Sequence, residues 1–442
     1  MKSVVKLSRL NSYLLVALVL QLTGCSGPRV MMPTPNVYVE TERDVYADLA
    51  APLKTNEVPI FYITDRTPEQ DDEGKLRYGY GRSGSLAFGS TVVDLGVDIT
   101  WDELVAASRT QSRLKPVQLE LREVTELIRG PNTPLPYSLQ NGKIVHEPKL
   151  LAQRKAVTEA LRNKLVKQLA LTPRKEVFIY VHGYNNTFDD AAFAMAEFWH
   201  FLGRIGVPII YTWPAGYPGL FGYTYDRESS EFTVYHLREV LDLIASFPEV
   251  EKIHLIAHSR GTDVAIAAVR ELTLLARGAG IDPKEKYKIH NLVLAAPDLD
   301  VQVATQRIAG DMLVFSVNRF TVYTSPEDEA IGVAKMLFQS PRGRIGTLGL
   351  DDRDETIKDR MEYDRRKHSR TNLAIVKFEG AVDSQLDSYG HSYFRIAPAV
   401  SSDLVLLLRD DLDPGTPGRP LEPIGLQLWR IPPAYPGKVT SD

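Results

Sequence analysis

From residue 173 onward, short apolar runs alternate with segments of helical length. VFIYV at 177–181, VPIIYT at 207–212, IHLIA at 253–257, HNLVLAA at 290–296, FTVYT at 320–324 and AIVKF at 374–378 lack strict polar alternation. Strands covered by helices on both faces read this way, because neither side of the strand meets water. The segments 189–204, 228–247 and 261–277 supply helices between them. This pattern predicts an α/β fold with a mostly parallel central sheet and helices on both faces. Upstream, Leu150, Val157, Leu161, Leu165 and Leu169 share one helical face that stops at Leu171-Thr172-Pro173. Earlier still, VPIFYITDR from Val58 and the run GSLAFGSTVVDLGVDI are strand-like, and the glycine-rich, charged stretch between them predicts an antiparallel lead-in. Residues 101–150 have no dominant period. The charged, glycine-bearing stretch 340–370 predicts a surface insertion before the last strand. Residues 26–56 and 411–442 carry prolines and little periodicity, and are expected to be a tether and a surface-wrapping tail.

At 442 residues and 44% hydrophobic, the chain can bury a full core. Its net charge of −4 offers no basic field for nucleic acid. Lys2, Lys6 and Arg9 precede the apolar run YLLVALVL at 13–20, as in a secretory leader, and the run is too short to span a bilayer. Leu22-Thr23-Gly24-Cys25 resembles the bacterial lipoprotein signal. That resemblance implies cleavage before Cys25, lipidation of Cys25, and a membrane anchor in the bacterial envelope; Ser26 is similar to the outer-membrane sorting choice. Cys25 is the single cysteine, so no intrachain disulfide can form. The expected division is 1–24 leader, 25–56 lipidated cysteine and tether, 57–172 lead-in strands and helix, 173–410 core and 411–442 tail.

The stretch IHLIAHSRGT at 253–262 carries the candidate chemistry. A strand running into small-x-Ser-x-small and then a helix presents the serine as a nucleophile on a sharp turn. Ala257 and Gly261 are the small residues expected to approach each other across Ser259; a plain serine cap of the next helix is the structural alternative. A nucleophilic serine needs a base and a carboxylate to orient it. His391, in DSYGHSYF, is the one histidine beyond the last strand and is the expected base. Asp328, in TSPEDEA, is the favoured acid, with Asp298 and Asp300 of AAPDLD as alternatives. The backbone amides of Tyr184, in VHGYNNTFDD, and of Arg260 are the expected oxyanion donors, leaving both side chains to shape the mouth. His182 reads as a loop brace. Asp226 and Arg227 read as local helix caps, and the aromatic stretch 213–232 as a substrate-lining loop or as packing beneath a helix. The scattered histidines give no metal-ligand spacing and no phosphate or dinucleotide fingerprint is present, so no metal and no cofactor are expected.

Together FIYVHGYNNTF, IIYTWPAG, YTYDRESSEFT, HLIAHSRGTDVA, LVLAAPDLD, TVYTSPEDEA and YGHSYF resemble a bacterial family of α/β-hydrolases of unknown function; FYITDR and YGYGRSGSLAFGS are similar to its lead-in. The likeness spans roughly residues 57–395. It implies an α/β-hydrolase fold and carries Ser259, Asp328 and His391 onto a triad. The family commonly has methionine where Arg260 stands and serine where Ala215 stands. The expected function is a lipid-anchored serine hydrolase acting on a small-molecule or lipid acyl substrate. An acyltransferase with the same triad, or a non-catalytic envelope scaffold on the same fold, are the alternatives.

Overall fold

The computed structural model describes residues 29–39, 44–219, 221–331, 344–347, 372–380, 382, 383, 387 and 389–437. The strands are β1 Glu57–Gln70, β2 Leu76–Leu95, β3 Leu119–Leu121, β4 Thr125–Arg129, β5 Tyr137–Gln140, β6 Lys143–His146, β7 Glu176–Val181, β8 Val207–Thr212, β9 Lys252–His258, β10 Ile289–Ala295, β11 Arg319–Thr324, β12 Leu373–Lys377, β13 Glu422–Gly425 and β14 Leu428–Arg430. The longer helices are α1 Trp101–Ala107, α2 Pro148–Leu169, α3 Phe188–Phe201, α4 Gly222–Ala245, α5 Gly261–Gly278 and α6 Pro398–Leu408.

One sheet runs β13-β14-β12-β11-β10-β9-β7-β8-β1-β2-β3, with β4 also paired to β2; β5 and β6 form a separate hairpin. Every pairing from β14 to β1 is parallel, while β2, β3, β4 and β13 add antiparallel margins. The expected mostly parallel sheet is therefore present. The central strands lie between two apolar clusters. Val177, Ile179 and Val181 of β7 enter the cluster beneath α2, α4 and α5, and Phe178 and Tyr180 enter the one beneath α3 and α6. That two-residue alternation, with both partners apolar, is why the strand reads as a continuous run. The one-sided face of α2 is buried at Val157, Leu161, Leu165 and Leu169.

Three margins differ from the sequence expectation. Residues 29–39 and 44–56 do not form a tether but pack onto the body. Met31, Met32, Tyr38, Tyr46 and Leu53 are buried. Arg113 donates to the carbonyls of Met31 and Met32 at 2.8 Å each, and the Met32 N–H donates to Glu197 at 2.6 Å. Side chains from other elements satisfy this backbone group by group, so the segment carries no period. Second, the tail contributes β13 and β14, and Arg419 is fully buried against Asp403. Third, of the expected surface insertion 340–370, the described residues 344–347 are lodged against the sheet edge. Ile345 N–H donates to Leu299 O and Gly346 N–H to Pro297 O, both at 3.0 Å, and Ser325 N–H donates to Gly346 O at 2.9 Å. The leader and Cys25 lie outside the described residues, among which no helix is long and apolar enough to cross a membrane.

The tail is held by charge. Arg419 meets Asp403 at 2.9 and 2.7 Å, and the same carboxylate accepts from the Tyr323 and Tyr435 hydroxyls at 2.6 and 2.5 Å. Asp403→Ala leaves a buried guanidinium without its counterion, and the expected loss is about 3–5 kcal/mol of unfolding free energy. Urea unfolding measures it, and the double replacement Asp403→Leu/Arg419→Met is expected to lose less than Asp403→Ala alone.

Candidate active site

β9 ends at His258, and Ser259 turns the chain with φ of 53° before α5 begins at Gly261. A left-handed serine costs about 1–2 kcal/mol, and the surroundings hold it there. Its N–H donates to Ala295 O at 3.0 Å, and its carbonyl accepts from the N–H groups of Thr262 and Asp298 at 3.1 and 3.3 Å and from the Thr262 hydroxyl at 2.6 Å. The small-residue requirement has a different source from the one expected. A Cβ at Gly261 would lie 2.3 Å from His182 O and 2.7 Å from Val181 O, so the close neighbour is the end of β7 and not Ala257. Gly183 obeys the same constraint, since a Cβ there would sit 2.6 Å from the Ser259 Cβ.

Asp328 follows β11 and is buried. One carboxylate oxygen accepts from the Ile331 N–H at 3.1 Å, and the other lies 2.7 Å from His391 Nδ1. The Glu329 N–H donates to Tyr389 O at 3.1 Å, which ties the aspartate's loop to the histidine's. The His391 ring centroid is 4.7 Å from that of His258, the residue just before Ser259. Serine turn, imidazole and carboxylate thus occupy one corner of the sheet's carboxyl edge. No hydrogen bond joins the Ser259 hydroxyl to His391 among the described residues; such bonds are often long at rest and shorten around substrate. Burial pulls the His391 imidazole down, but the charge and hydrogen bond of Asp328 outweigh it and raise it above the ordinary value.

The carboxylates of the other candidate acids are engaged with other partners. Asp298 accepts from the Tyr223 hydroxyl at 2.9 Å and faces the Arg344 guanidinium at 2.5 Å. Asp300 caps the short helix Val301–Ala304 through the Gln302 and Val303 N–H groups. The amides of Tyr184 and Arg260 have no acceptor among the described residues, although the neighbouring Gly183 and Asn185 amides do, Asn186 Oδ1 and Asp226. The Arg260 side chain is not free to shape the mouth. It is held by Ser230 at 3.1 Å and Asp263 at 2.7 Å, and Arg307 takes the second oxygen of Asp263. The Tyr184 ring packs 5.1 Å from that of Tyr223, while Tyr217 and Tyr225 stack on one another and Tyr80 meets both edge-on.

Asp226 does not cap its own helix. Its carboxylate accepts from the N–H groups of Asn185, Gly216 and Tyr217 in two other loops. Burial raises its pKa, against the pull of those amides. His182 braces its loop as expected: burial and the Arg66 charge push it down to about 3, so the ring is neutral. The sequence reading missed Arg66 and Arg344. A charge ending the apolar run FYITD is the one signal that pointed to Arg66.

Gly261→Ala is expected to lose about 3 kcal/mol of stability, the upper end for overpacking against backbone, with calorimetry as the check. The His391 titration tests the other half of the site. By NMR on histidine-labelled protein its midpoint should lie above 6.5, fall in Asp328→Asn and stay in Asp300→Asn. Because the folded value is raised, this group's stabilising contribution is full below pH 6.5 and vanishes as pH climbs through the folded midpoint.

A family model described as alpha/beta hydrolase of unknown function (DUF900) matches residues 157–408. The match covers β7 to α6, and with them Ser259, Asp328 and the His391 loop. No curated protein matches the chain.

Proposed function

The chain belongs to this family of α/β hydrolases of unknown function, and from that membership and the geometry at the carboxyl edge we propose that it is a serine hydrolase of acyl substrates. The supporting observation is the 2.7 Å contact between Asp328 and His391 Nδ1 beside a serine held at φ 53°. Asp328 keeps the Nδ1 proton in place, which leaves Nε2 as the base. Ser259 Oγ attacks the acyl carbonyl carbon and its proton passes to His391 Nε2. The carbonyl oxygen, now negative, is met by the Tyr184 and Arg260 amides. The tetrahedral intermediate then collapses: the bond between the acyl carbon and the leaving group breaks, His391 gives its proton to the departing group, and the acyl group stays on Ser259 Oγ. A water, deprotonated by the same imidazole, releases the acid and restores the serine.

The proposal includes the place of action. Cys25 would carry the lipid anchor, in the outer membrane by the serine that follows it. Arg29, four residues on, is already packed on the body through Glu197 and the Leu119 N–H, and four extended residues reach about 14 Å at most. The catalytic body would therefore lie close against the bilayer surface, within range of lipid-borne acyl groups as well as soluble esters.

The full-length protein in detergent, treated with a fluorescent fluorophosphonate, is expected to label at Ser259. Ser259→Ala should abolish labelling, and His391→Ala or Asp328→Asn should slow it by a factor on the order of 10³–10⁴. A folded wild-type protein that neither labels nor cleaves short-chain esters would sink the hydrolase reading. Retention of Cys25→Ser in the membrane fraction would sink the anchor separately.

A further inference from the structure

Two buried charges beside the site have no direct ion-pair partner among the described residues. Arg66 sits in β1 between two register shifts, where the bulged strand turns its side chain inward until the residue is 1% exposed. Its guanidinium meets five acceptors: Thr212 Oγ1 at 2.9 Å, Gly79 O at 2.8 Å, Ala215 O at 2.9 Å, Asn186 O at 2.8 Å and His182 Nε2 at 3.3 Å. Five is its full complement of N–H groups. Asp226, fully buried in α4, takes the N–H groups of Asn185 at 3.0 Å, Gly216 at 3.0 and 3.1 Å, and Tyr217 at 3.3 Å.

The two charges hold the same loops from opposite ends. The peptide linking Ala215 to Gly216 gives its carbonyl to Arg66 and its N–H to Asp226. The loop after β7 gives Asn186 O to Arg66 and the Asn185 N–H to Asp226. The next link reaches the candidate oxyanion donor. His182 Nδ1 lies 2.9 Å from Gly183 O, while its Nε2 accepts from the Trp213 N–H at 3.1 Å. That acceptance places the ring proton on Nδ1, donating to Gly183 O. Gly183 O and the Tyr184 N–H belong to one planar trans peptide, so fixing the carbonyl aims the N–H the opposite way. The ring is in turn held flat against Trp213, with centroids 5.1 Å apart and planes within 7°.

We infer that Arg66, Asp226 and His182 are positioning residues that aim the Tyr184 amide at the developing oxyanion, with the 215–217 loop locked in the same clamp. The inference rests on the serine-hydrolase reading. It explains why charges are buried here at all. A direct guanidinium–carboxylate pair would hold the loops at fixed separation, but a guanidinium and a carboxylate spread over separate peptide groups fix the orientation of each peptide. Catalysis at an oxyanion depends on that orientation.

The test measures second-order fluorophosphonate inactivation of the full-length protein in wild type, Asp226→Asn and Arg66→Lys. Each is paired with a melting temperature, a count of labelled sites at completion, and the pH dependence of the rate. Asn keeps the shape of Asp226 but turns an NH2 toward backbone N–H groups. Lys keeps the charge of Arg66 but cannot reach both loop carbonyls and His182. The expected result is roughly 10²-fold slower inactivation per labelled site, with full labelling at completion and an unmoved pH midpoint. Wild-type rates per labelled site in both variants overturn the clamp while the hydrolase reading stands, and so does a loss explained entirely by fewer folded sites. A shifted pH midpoint would assign the effect to His391 and also overturn it. Wild-type protein that takes no label at Ser259 overturns both readings together.

Discussion

The left-handed turn at Ser259 is the constraint on which the carboxyl edge is organised. A serine at φ 53° is tolerated because its carbonyl and amide are both engaged and because the end of β7 closes against it without side chains in between. Gly261 lets Val181 and His182 approach, and Gly183 lets the following loop pass over the serine. Parallel pairing of β7 with β9 brings these segments together, with Val181 opposite Ala257. The same register sets the Tyr184 loop beside Ser259, so the proposed nucleophile and oxyanion donor are placed by one strand pair. Asp328 and His391 come from two further strands of the sheet, and their contact depends on loops tied to each other through Glu329 and Tyr389.

Much of this was legible in sequence, for reasons that differ by element. The central strands were visible because burial on both faces leaves only apolar residues, and their alternation with helices predicts a parallel sheet. The serine turn was visible because sterics restrict its neighbours to small residues, although the neighbour that imposes the limit at 261 is His182 and not Ala257. Asp328 could be preferred over Asp298 only by its position one strand before the histidine's. What separates them physically is a long-range pairing: Asp298 is committed to Tyr223 and Arg344, and Arg344 lies in a segment whose charge pattern reads as solvent-facing.

The failures share a cause. Residues 26–56 read as a tether and 411–442 as a surface-wrapping tail because non-periodic backbone leaves no pattern, whatever it packs on. Arg113 and Glu197 anchor the first segment from positions distant in sequence, and Asp403 of α6 anchors the tail through Arg419. Asp226 was read as a cap because a polar residue near a helix start satisfies its own helix's amides by default. Here Thr187 and Thr100 do that at α3 and α1, while Asp226, inside the first turns of α4, reaches across to other loops. Only the three-dimensional arrangement reveals which amides it serves.

The molecule uses buried charge in two distinct ways. In one, buried guanidinium meets buried carboxylate directly, as Arg419 does Asp403 and Arg395 does Glu197 and, next to the serine turn, as Arg260 does Asp263 and Arg344 does Asp298. A direct pair holds segments at fixed separation, and it is indifferent to how the intervening peptides are turned. In the other, Arg66 and Asp226 meet backbone peptide groups, and burial lowers the Arg66 guanidinium to about 10 against the upward pull of Asp65 and Asp226. Such charges give up some electrostatic stabilisation relative to a direct pair. In exchange each peptide they touch has a set direction, which a pair cannot impose. Set direction matters where peptide dipoles do chemistry, and the loops concerned are that of the proposed oxyanion donor Tyr184 and the 215–217 loop held in the same clamp.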